Sequence, residues 1–369
     1  MAEDPKNSGR RSPHVARASA AGREVLSGAL TWNRTEANIL KMVSAGLSLA
    51  LPLTIAMLLG DPNSGVLAAL GALLVAGSGH DGNLRARTSD LGAAAVIGTA
   101  ALGAGHLLSS GRVAGDLAIL VLVVLVAATG TIRPRVAKAG SQATIFLIIG
   151  ASLSVGSTPT QQLLAIFASG VLLGGVMGML TYGIEFHLLK RKPEPPAPAQ
   201  PWRVALESWT KRMSKWDGWH YTVRLASCMV VAELFAHLVS GRHSYWIMLT
   251  VVLVVQRDHH AALLRTTERA VGTSLGVLLG WWMLGPMPPA LLVGIVAMIG
   301  ASRLYLKSAN YTSYALVMTP LIVVLGGTGG HPDTGLLTER LVDTLIGCLI
   351  SLLIGSLPWL RREDVSAPA

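Results

Sequence analysis

Charged residues are scarce in this chain. Asp, Glu, Lys and Arg make up only 14% of its 369 residues, against roughly 25% in an ordinary soluble domain. Two stretches, Gln161 to Ile184 and Ala270 to Ser302, contain no charged residue at all. Each is longer than the roughly 20 residues that a helix needs to cross a bilayer. The composition therefore argues against a soluble enzyme and predicts a polytopic membrane protein.

Cysteine is also scarce, since only Cys228 and Cys348 are present and both lie inside apolar runs. They can form neither a disulfide framework nor a CxxC metal or redox site. The sequence contains neither HExxH nor GxxxxGK[ST], and Asp258, His259 and His260 lack the spacing of metal ligands. We therefore expect no enzyme activity, no catalytic residues, no cofactor and no metal site.

Apolar segments bounded by glycine, proline or charged residues recur along the whole chain. Because each half carries six of them in a similar order of long and short segments, we predict an all-α polytopic membrane protein. It would have about twelve transmembrane helices, arranged as two parallel six-helix repeats. The segments are 37–60, 65–79, 90–109, 114–131, 142–157, 161–187, 220–240, 244–256, 266–284, 288–302, 312–327 and 336–359.

The positions of the cations predict the orientation. The net charge is +10, but Lys and Arg lie in the breaks between apolar segments, which favours a membrane protein over a nucleic-acid-binding one. If the N-terminus is cytoplasmic, only Arg112, Arg242 and Arg340 of the 30 Lys and Arg residues fall on the outer side. We therefore predict a multi-pass protein of the cell membrane with both termini in the cytoplasm.

Composition also divides the chain into regions. We predict a disordered basic tail over 1–36, a first membrane half over 37–189, a second over 220–360 and a short cytoplasmic tail over 361–369. The cytoplasmic linker, 190–219, begins with a Pro-rich stretch and continues with Trp and basic residues at helical spacing. This helix either lies in the headgroup region of the membrane or packs on the rest of the protein.

Ionisable residues within apolar segments are candidate site residues, because lipid alone does not tolerate them. Glu233 lies near the middle of its segment, and it is either a proton-coupling carboxylate or a hydrogen-bonded structural residue. Arg265 and Arg269 are one helical turn apart. Their guanidinium groups either bind a carboxylate substrate or anchor phospholipid.

Three further residues complete the set for a substrate or ion path. Arg340 and Asp343 are three residues apart and share a helix face, so that they form an ion pair that serves as a gate or as a structural clamp. Arg85 corresponds to Arg265 when the first half is shifted by 180 positions, and Gly92 then corresponds to Gly272.

The second half contains a recurring motif. Tyr245 and Trp246 open a short segment, RxxGTxxG begins at Arg269 with Gly272 and Thr273, and RxxDTxxG begins at Arg340 with Thr344. Over residues 220–355 this pattern resembles the fusaric acid resistance family and its aromatic acid exporter relatives. The resemblance implies an inner-membrane efflux protein for aromatic or other organic acids, working with a periplasmic partner or as a homo-oligomer.

Three hypotheses for function follow. The first is a secondary transporter that exports organic anions, with proton coupling through Glu233 as a further hypothesis. The second is a passive anion channel, and the third is a membrane scaffold that docks a partner through residues 200–216 without transport.

Overall fold

The structure is a computed structural model that describes residues 27–76, 83–109, 113–153, 158–190, 200–239, 245–282, 288–326 and 334–359. Within these ranges it contains thirteen α-helices of ten or more residues and no strand. The prediction of an all-α protein is confirmed. The predicted tail regions 1–26 and 361–369 and the Pro-rich residues 191–199 lie outside the described residues.

Six helices form the first part of the chain. Side chains of Asn38, Asp61 and Asn83 cap three of them by accepting a hydrogen bond from the backbone N–H three residues further on. The sixth helix continues into one π-helical turn, Ile184–Leu188. The helices are α1 Ile39–Leu58, α2 Pro62–Val75, α3 Leu84–Leu108, α4 Val113–Thr129, α5 Pro134–Leu153 and α6 Thr160–Gly183.

Seven helices follow the Pro-rich stretch. The first of them, α7, is polar and amphipathic, and the other six are mainly apolar. They are α7 Trp202–Met213, α8 Trp216–Val239, α9 Tyr245–Val254, α10 His259–Trp282, α11 Pro289–Ala309, α12 Tyr311–Gly326 and α13 Thr334–Leu353.

The number of helices able to cross a membrane is smaller than we predicted. Within the part of the chain that the structure describes, seven segments qualify by length and composition: Ile39–Leu58, Leu84–Leu108, Pro134–Leu153, Thr160–Leu188, Trp216–Leu238, Ala290–Ala309 and Gly335–Trp359. The prediction of a polytopic membrane protein is thus confirmed, but the prediction of about twelve crossings in two six-helix repeats is not.

Two physical reasons account for the difference in number. Helices α2, α4, α9 and α12 are short, with 14, 17, 10 and 16 residues, and the ten residues of α9 extend only about 15 Å, half the thickness of the hydrocarbon core. Helix α10 is long enough, but it carries Arg265, Glu268 and Arg269. A hydropathic pattern therefore marks a helix without fixing whether that helix crosses the bilayer.

Equivalent helices contact each other in the two parts of the chain. Helix α3 packs on α5 and α10 packs on α12, while α2 packs on α6 and α9 packs on α13. The two parts meet where α1 contacts α11 and where α4 contacts α8. This pairing encloses a group of side chains between α9, α10, α12 and α13.

Residues at the end of the predicted N-terminal tail are ordered. The Asn33 N–H donates to the Ala309 carbonyl at 2.8 Å, and the Asn310 and Thr312 side chains both donate to the Ala29 carbonyl. Ala29 is buried. The prediction of a disordered tail is therefore wrong for the described end of that tail, around Ala29 and Asn33. This segment forms hydrogen bonds with the polar groups of the α11–α12 connection.

Helix α7 contacts the connection between α4 and α5. The Trp209 indole N–H donates to the Ala128 carbonyl at 3.1 Å, and the Arg212 guanidinium donates to the Thr131 carbonyl at 3.2 Å. The Arg133 guanidinium lies 4.0 Å over the ring of Trp202, which remains half exposed. Helix α7 thus packs on the protein and still presents an apolar side chain outward.

Close packing of α10 and α12 depends on glycine. A Cβ at Gly272 would lie 2.4 Å from the Thr312 carbonyl oxygen, and one at Gly276 would lie 2.5 Å from the Leu316 carbonyl oxygen. Such distances leave no room for a methyl group unless the helices move apart. The glycine of the RxxGTxxG motif therefore sets the distance between these two helices.

We predict that Gly272→Ala destabilises the protein, because the added methyl group would collide with the α12 backbone. Gly294→Ala on α11 is the matched control, since a Cβ there meets open space and alanine favours the helix by about 0.5–1 kcal/mol. Thermal unfolding of both variants in detergent would measure the difference. Equal unfolding temperatures for the two variants would contradict the proposed packing constraint.

Candidate functional site

The centre of the candidate site is the guanidinium group of Arg340 on α13. The side chain is fully buried, and its guanidinium carbon lies 4.8 Å over the ring of Trp246 on α9. None of its three guanidinium nitrogens has a hydrogen-bond partner among the described residues. A buried cation without acceptors is costly, so this group is suited to bind an anion.

A second cation lies beside the first. Arg269 on α10 is buried, interacts electrostatically with Arg340 and donates a hydrogen bond to the Tyr311 hydroxyl. Its Nε has no hydrogen-bond partner among the described residues. Two guanidinium groups held close together repel each other, and a bound carboxylate would reverse this unfavourable contact.

Acidic side chains offset only part of the positive charge. Asp343 is one turn from Arg340, is buried and interacts with it electrostatically. Glu268 lies 3.5 Å from Arg265 and is buried as well. The described acidic groups at Arg340 and Arg265 thus leave Arg269 as an additional buried cation in the same group of helices.

Four threonine hydroxyls have no hydrogen-bond partner among the described residues, namely that of Thr222 on α8 and three that lie close to the two arginines in the fold. Thr250 on α9, Thr273 on α10 and Thr344 on α13 are each fully buried. Buried helical threonines usually donate to the carbonyl four residues earlier, as Thr266 and Thr319 do here. The three remaining hydroxyls are therefore available to a ligand, and they belong to the helices that carry the two arginines and Trp246.

Aromatic rings enclose the two arginines. Tyr245 and Trp246 begin α9, with their ring centroids 5.6 Å apart, and Trp246 is almost completely buried. Tyr311 is the first residue of α12, and its ring lies 3.7 Å under the guanidinium carbon of Arg265. Tyr311 was not identified from the sequence, although it lies just after the basic end of an apolar segment, and this position was a usable signal.

A series of cations extends from this site towards one end of the helices. Lys307 on α11 interacts electrostatically with Arg303 and Arg265, and Lys138 on α5 interacts with Lys307. Arg303 is buried, and its Nε and one Nη have no hydrogen-bond partner among the described residues. These positive charges would raise the local concentration of anions at the approach to Arg269.

Glu233 is not part of this group of residues. It lies six residues before the end of α8, not near its middle, and its carboxylate is 3.2 Å from His237 Nε2. The same nitrogen lies 3.6 Å from the carboxylate of Asp116 on α4. Glu233 is therefore part of a three-residue cluster with Asp116 and His237 where the two parts of the chain meet.

Arg85 also lies apart from the buried cations, because it is exposed at the start of α3. The buried residue is Arg87, which donates to the Gly178 carbonyl at 2.8 Å and pairs with Glu185 at 4.0 Å. A shift by 180 positions aligned Arg85 with Arg265, but the structure gives the two residues different surroundings.

Arg224 is a buried cation with a structural role. Its Nε donates to the Gly355 carbonyl at 2.6 Å and one Nη donates to the Arg257 carbonyl at 3.3 Å, which ties α8 to the segment that follows α13. Burial lowers the pKa of Arg257 below its usual value. We did not single out Arg224, although an arginine within an apolar segment was a visible signal.

We predict that Thr344→Val stabilises the ligand-free protein by about 1 kcal/mol, because it removes a buried hydroxyl without a partner and preserves the side-chain shape. Thr319→Val is the matched control. It should be neutral or destabilising, since the Thr319 hydroxyl donates to the Ala315 carbonyl at 2.9 Å. Unfolding in detergent would measure both, and a Thr344→Val variant as unstable as the control would show that the hydroxyl has a structural partner.

The comparisons with known proteins concern the same part of the chain. Residues 227–354 match the family model described as fusaric acid resistance protein-like, which confirms the resemblance over the second half. The inner membrane protein YccS of Escherichia coli is 25% identical over 142 residues, and an uncharacterized protein of Haemophilus influenzae is 31% identical over 134 residues. The uncharacterized protein YhfK of Escherichia coli is 29% identical over 141 residues.

These matches cover a limited share of each protein. They include 38%, 36% and 37% of this chain for YccS, the Haemophilus protein and YhfK. The chain spans less than a fifth of the length of these relatives, with 19%, 18% and 19% covered. No solved structure matches the chain.

Proposed function

We propose that this multi-pass membrane protein, whose residues 227–354 carry a fusaric acid resistance-like domain, is a secondary transporter that exports organic acids from the cytoplasm. The observation that carries the proposal is the Arg340 guanidinium, which is fully buried without a hydrogen-bond acceptor among the described residues. Arg269 beside it adds a second buried positive charge. An organic carboxylate supplies the acceptors and the negative charge that both groups need.

The surroundings of the two arginines favour an aromatic carboxylic acid. A guanidinium group binds a carboxylate through two parallel hydrogen bonds. The rings of Trp246 and Tyr311 stack on Arg340 and Arg265 and make the surroundings of the site aromatic, and the hydroxyls of Thr250 and Thr344 can donate to substituents on a substrate. This substrate class is part of the proposal.

Three features of the sequence analysis stay predictions. They are proton coupling, an assembly with a periplasmic partner or a second copy, and a role for Glu233 in carrying a proton. The contact of Glu233 with His237 near the end of α8 gives this carboxylate a partner in the resting structure. We therefore assign substrate binding to Arg269 and Arg340 and leave the coupling ion to be measured.

Transport in proteoliposomes tests the proposal. We expect uptake of a labelled aromatic monocarboxylate when a pH gradient is imposed, and a fall of about tenfold or more in Arg269→Gln and Arg340→Gln. Arg85→Gln is the matched control, since Arg85 is an exposed arginine outside the site. Gel filtration would show that the variants fold, and Thr344→Val, which keeps the charges, should raise KM.

Two results would count against the transporter. Uptake that is equal in wild type and both arginine variants would remove the assigned substrate site. A flux that follows voltage alone and is insensitive to the pH gradient would identify a passive anion channel instead.

We also propose that the two halves share one orientation, with residues 190–219 and both termini in the cytoplasm. The equivalent pairing of α3 with α5 and α10 with α12 supports two related halves, and the two ends share one side of the membrane when the number of crossings is even. An odd number of crossings would place the two ends on opposite sides.

Reporter fusions would test this orientation. We expect a fluorescent protein fused after Arg191 or after Trp359 to be fluorescent, and alkaline phosphatase at the same positions to be inactive, because both positions lie at the basic ends of apolar segments. Phosphatase fused after Gly285 is the control for an outer connection and should be active. Active phosphatase after Trp359 would show that the crossings are odd in number.

A further inference from the structure

We propose that Asp116, Glu233 and His237 form a binding site for a divalent transition-metal ion, with Zn²⁺ as the best fit. Asp116 lies in the first turn of α4, and Glu233 and His237 are one turn apart near the end of α8. Each residue offers one ligand atom, and the three atoms lie within 4.8 Å of one another. The site joins the two parts of the chain where α4 contacts α8.

The distances between the donor atoms fit a metal ion. His237 Nε2 lies 3.2 Å from Glu233 Oε1 and 3.6 Å from Asp116 Oδ2. Zinc bonds to nitrogen and oxygen are about 2.0–2.2 Å long, and tetrahedral geometry then separates neighbouring ligands by roughly 3.3–3.5 Å. The ligands therefore need only small shifts to coordinate one ion.

The chemistry of the cluster also requires a cation. A single imidazole nitrogen faces two carboxylate oxygens, and its one N–H can donate a good hydrogen bond to only one of them. Two carboxylates close together repel each other, and this repulsion is relieved when a doubly charged ion binds between them. Protonation of His237 would supply one positive charge, half of the charge that a divalent ion would bring.

The exposure of the cluster suits an ion that exchanges with solvent. The side chains of Asp116 and Glu233 are each 25% exposed and that of His237 is 63% exposed. Water can therefore reach the ion and occupy its fourth position. Imidazole with carboxylates favours Zn²⁺ over Mg²⁺, which prefers oxygen ligands alone and retains its waters.

The bound ion would link α4 to α8 across the boundary between the two parts of the chain. Neither Arg269 nor Arg340 belongs to this site, so metal binding is independent of the anion site in the resting protein. The proposal consequently survives a failure of the transport assay and can be tested without any substrate.

The experiment uses the full chain without a histidine tag, purified in detergent and freed of metal with a chelator. Titration calorimetry with Zn²⁺ should show tight binding that is weakened at least about tenfold in His237→Ala, Asp116→Asn and Glu233→Gln. Saturating Zn²⁺ should also raise the unfolding temperature of the wild type but not of these variants. His260→Ala removes an exposed histidine outside the cluster and should bind as the wild type does.

Gel filtration would establish that each variant is folded, and the isosteric Asp116→Asn and Glu233→Gln changes keep the test valid if His237→Ala aggregates. Zn²⁺ binding that is the same in all three variants and the wild type would overturn the site. Absence of binding to the wild type would overturn it as well.

Discussion

Burial of the Arg340 guanidinium is the constraint on which the second half of the protein depends. A charged group removed from water loses several kcal/mol of hydration, and the interior must offer something in return. Here the Trp246 ring face and the Asp343 carboxylate offer part of it. The described residues offer the guanidinium no hydrogen-bond acceptor, so that part of its lost hydration is not replaced. A bound anion would replace it. The packing that stabilises the second half and the guanidinium group that we propose to bind an anion thus belong to the same four helices.

Helix geometry keeps this group in place. The short helix α9 begins at Tyr245, so that Trp246 in its first turn contacts the buried guanidinium of Arg340. Gly272 allows α10 to approach the backbone of α12, which brings Arg269 to Tyr311. Gly272 and Trp246, which come from separate motif positions, therefore both help to enclose the guanidinium groups of Arg269 and Arg340.

The sequence predicted the helices better than their relation to the membrane. Apolar periodicity located the helical segments, and residues such as Trp246, Arg269 and Thr344 do lie on helices that contact one another. Length and charge reduced the number of membrane-crossing candidates, which hydropathy alone overestimates. The proximity of Asp116 to Glu233 and His237 was not predictable, because Asp116 is distant in sequence and is brought close only by the packing of α4 on α8, whereas the contact with His237 follows from the spacing of four residues.

Arg87 in the first half and Arg340 in the second half are buried in different surroundings, and this difference supports the proposed anion site. In the first half Arg87 donates to a backbone carbonyl and pairs with Glu185, so that its charge is balanced within the protein. In the second half Arg340 has its carboxylate neighbour but no hydrogen-bond acceptor among the described residues. A balanced cation stabilises a fold, whereas an incompletely balanced one costs stability and is retained only where it binds something. The family match covers the second half, where that cost is found.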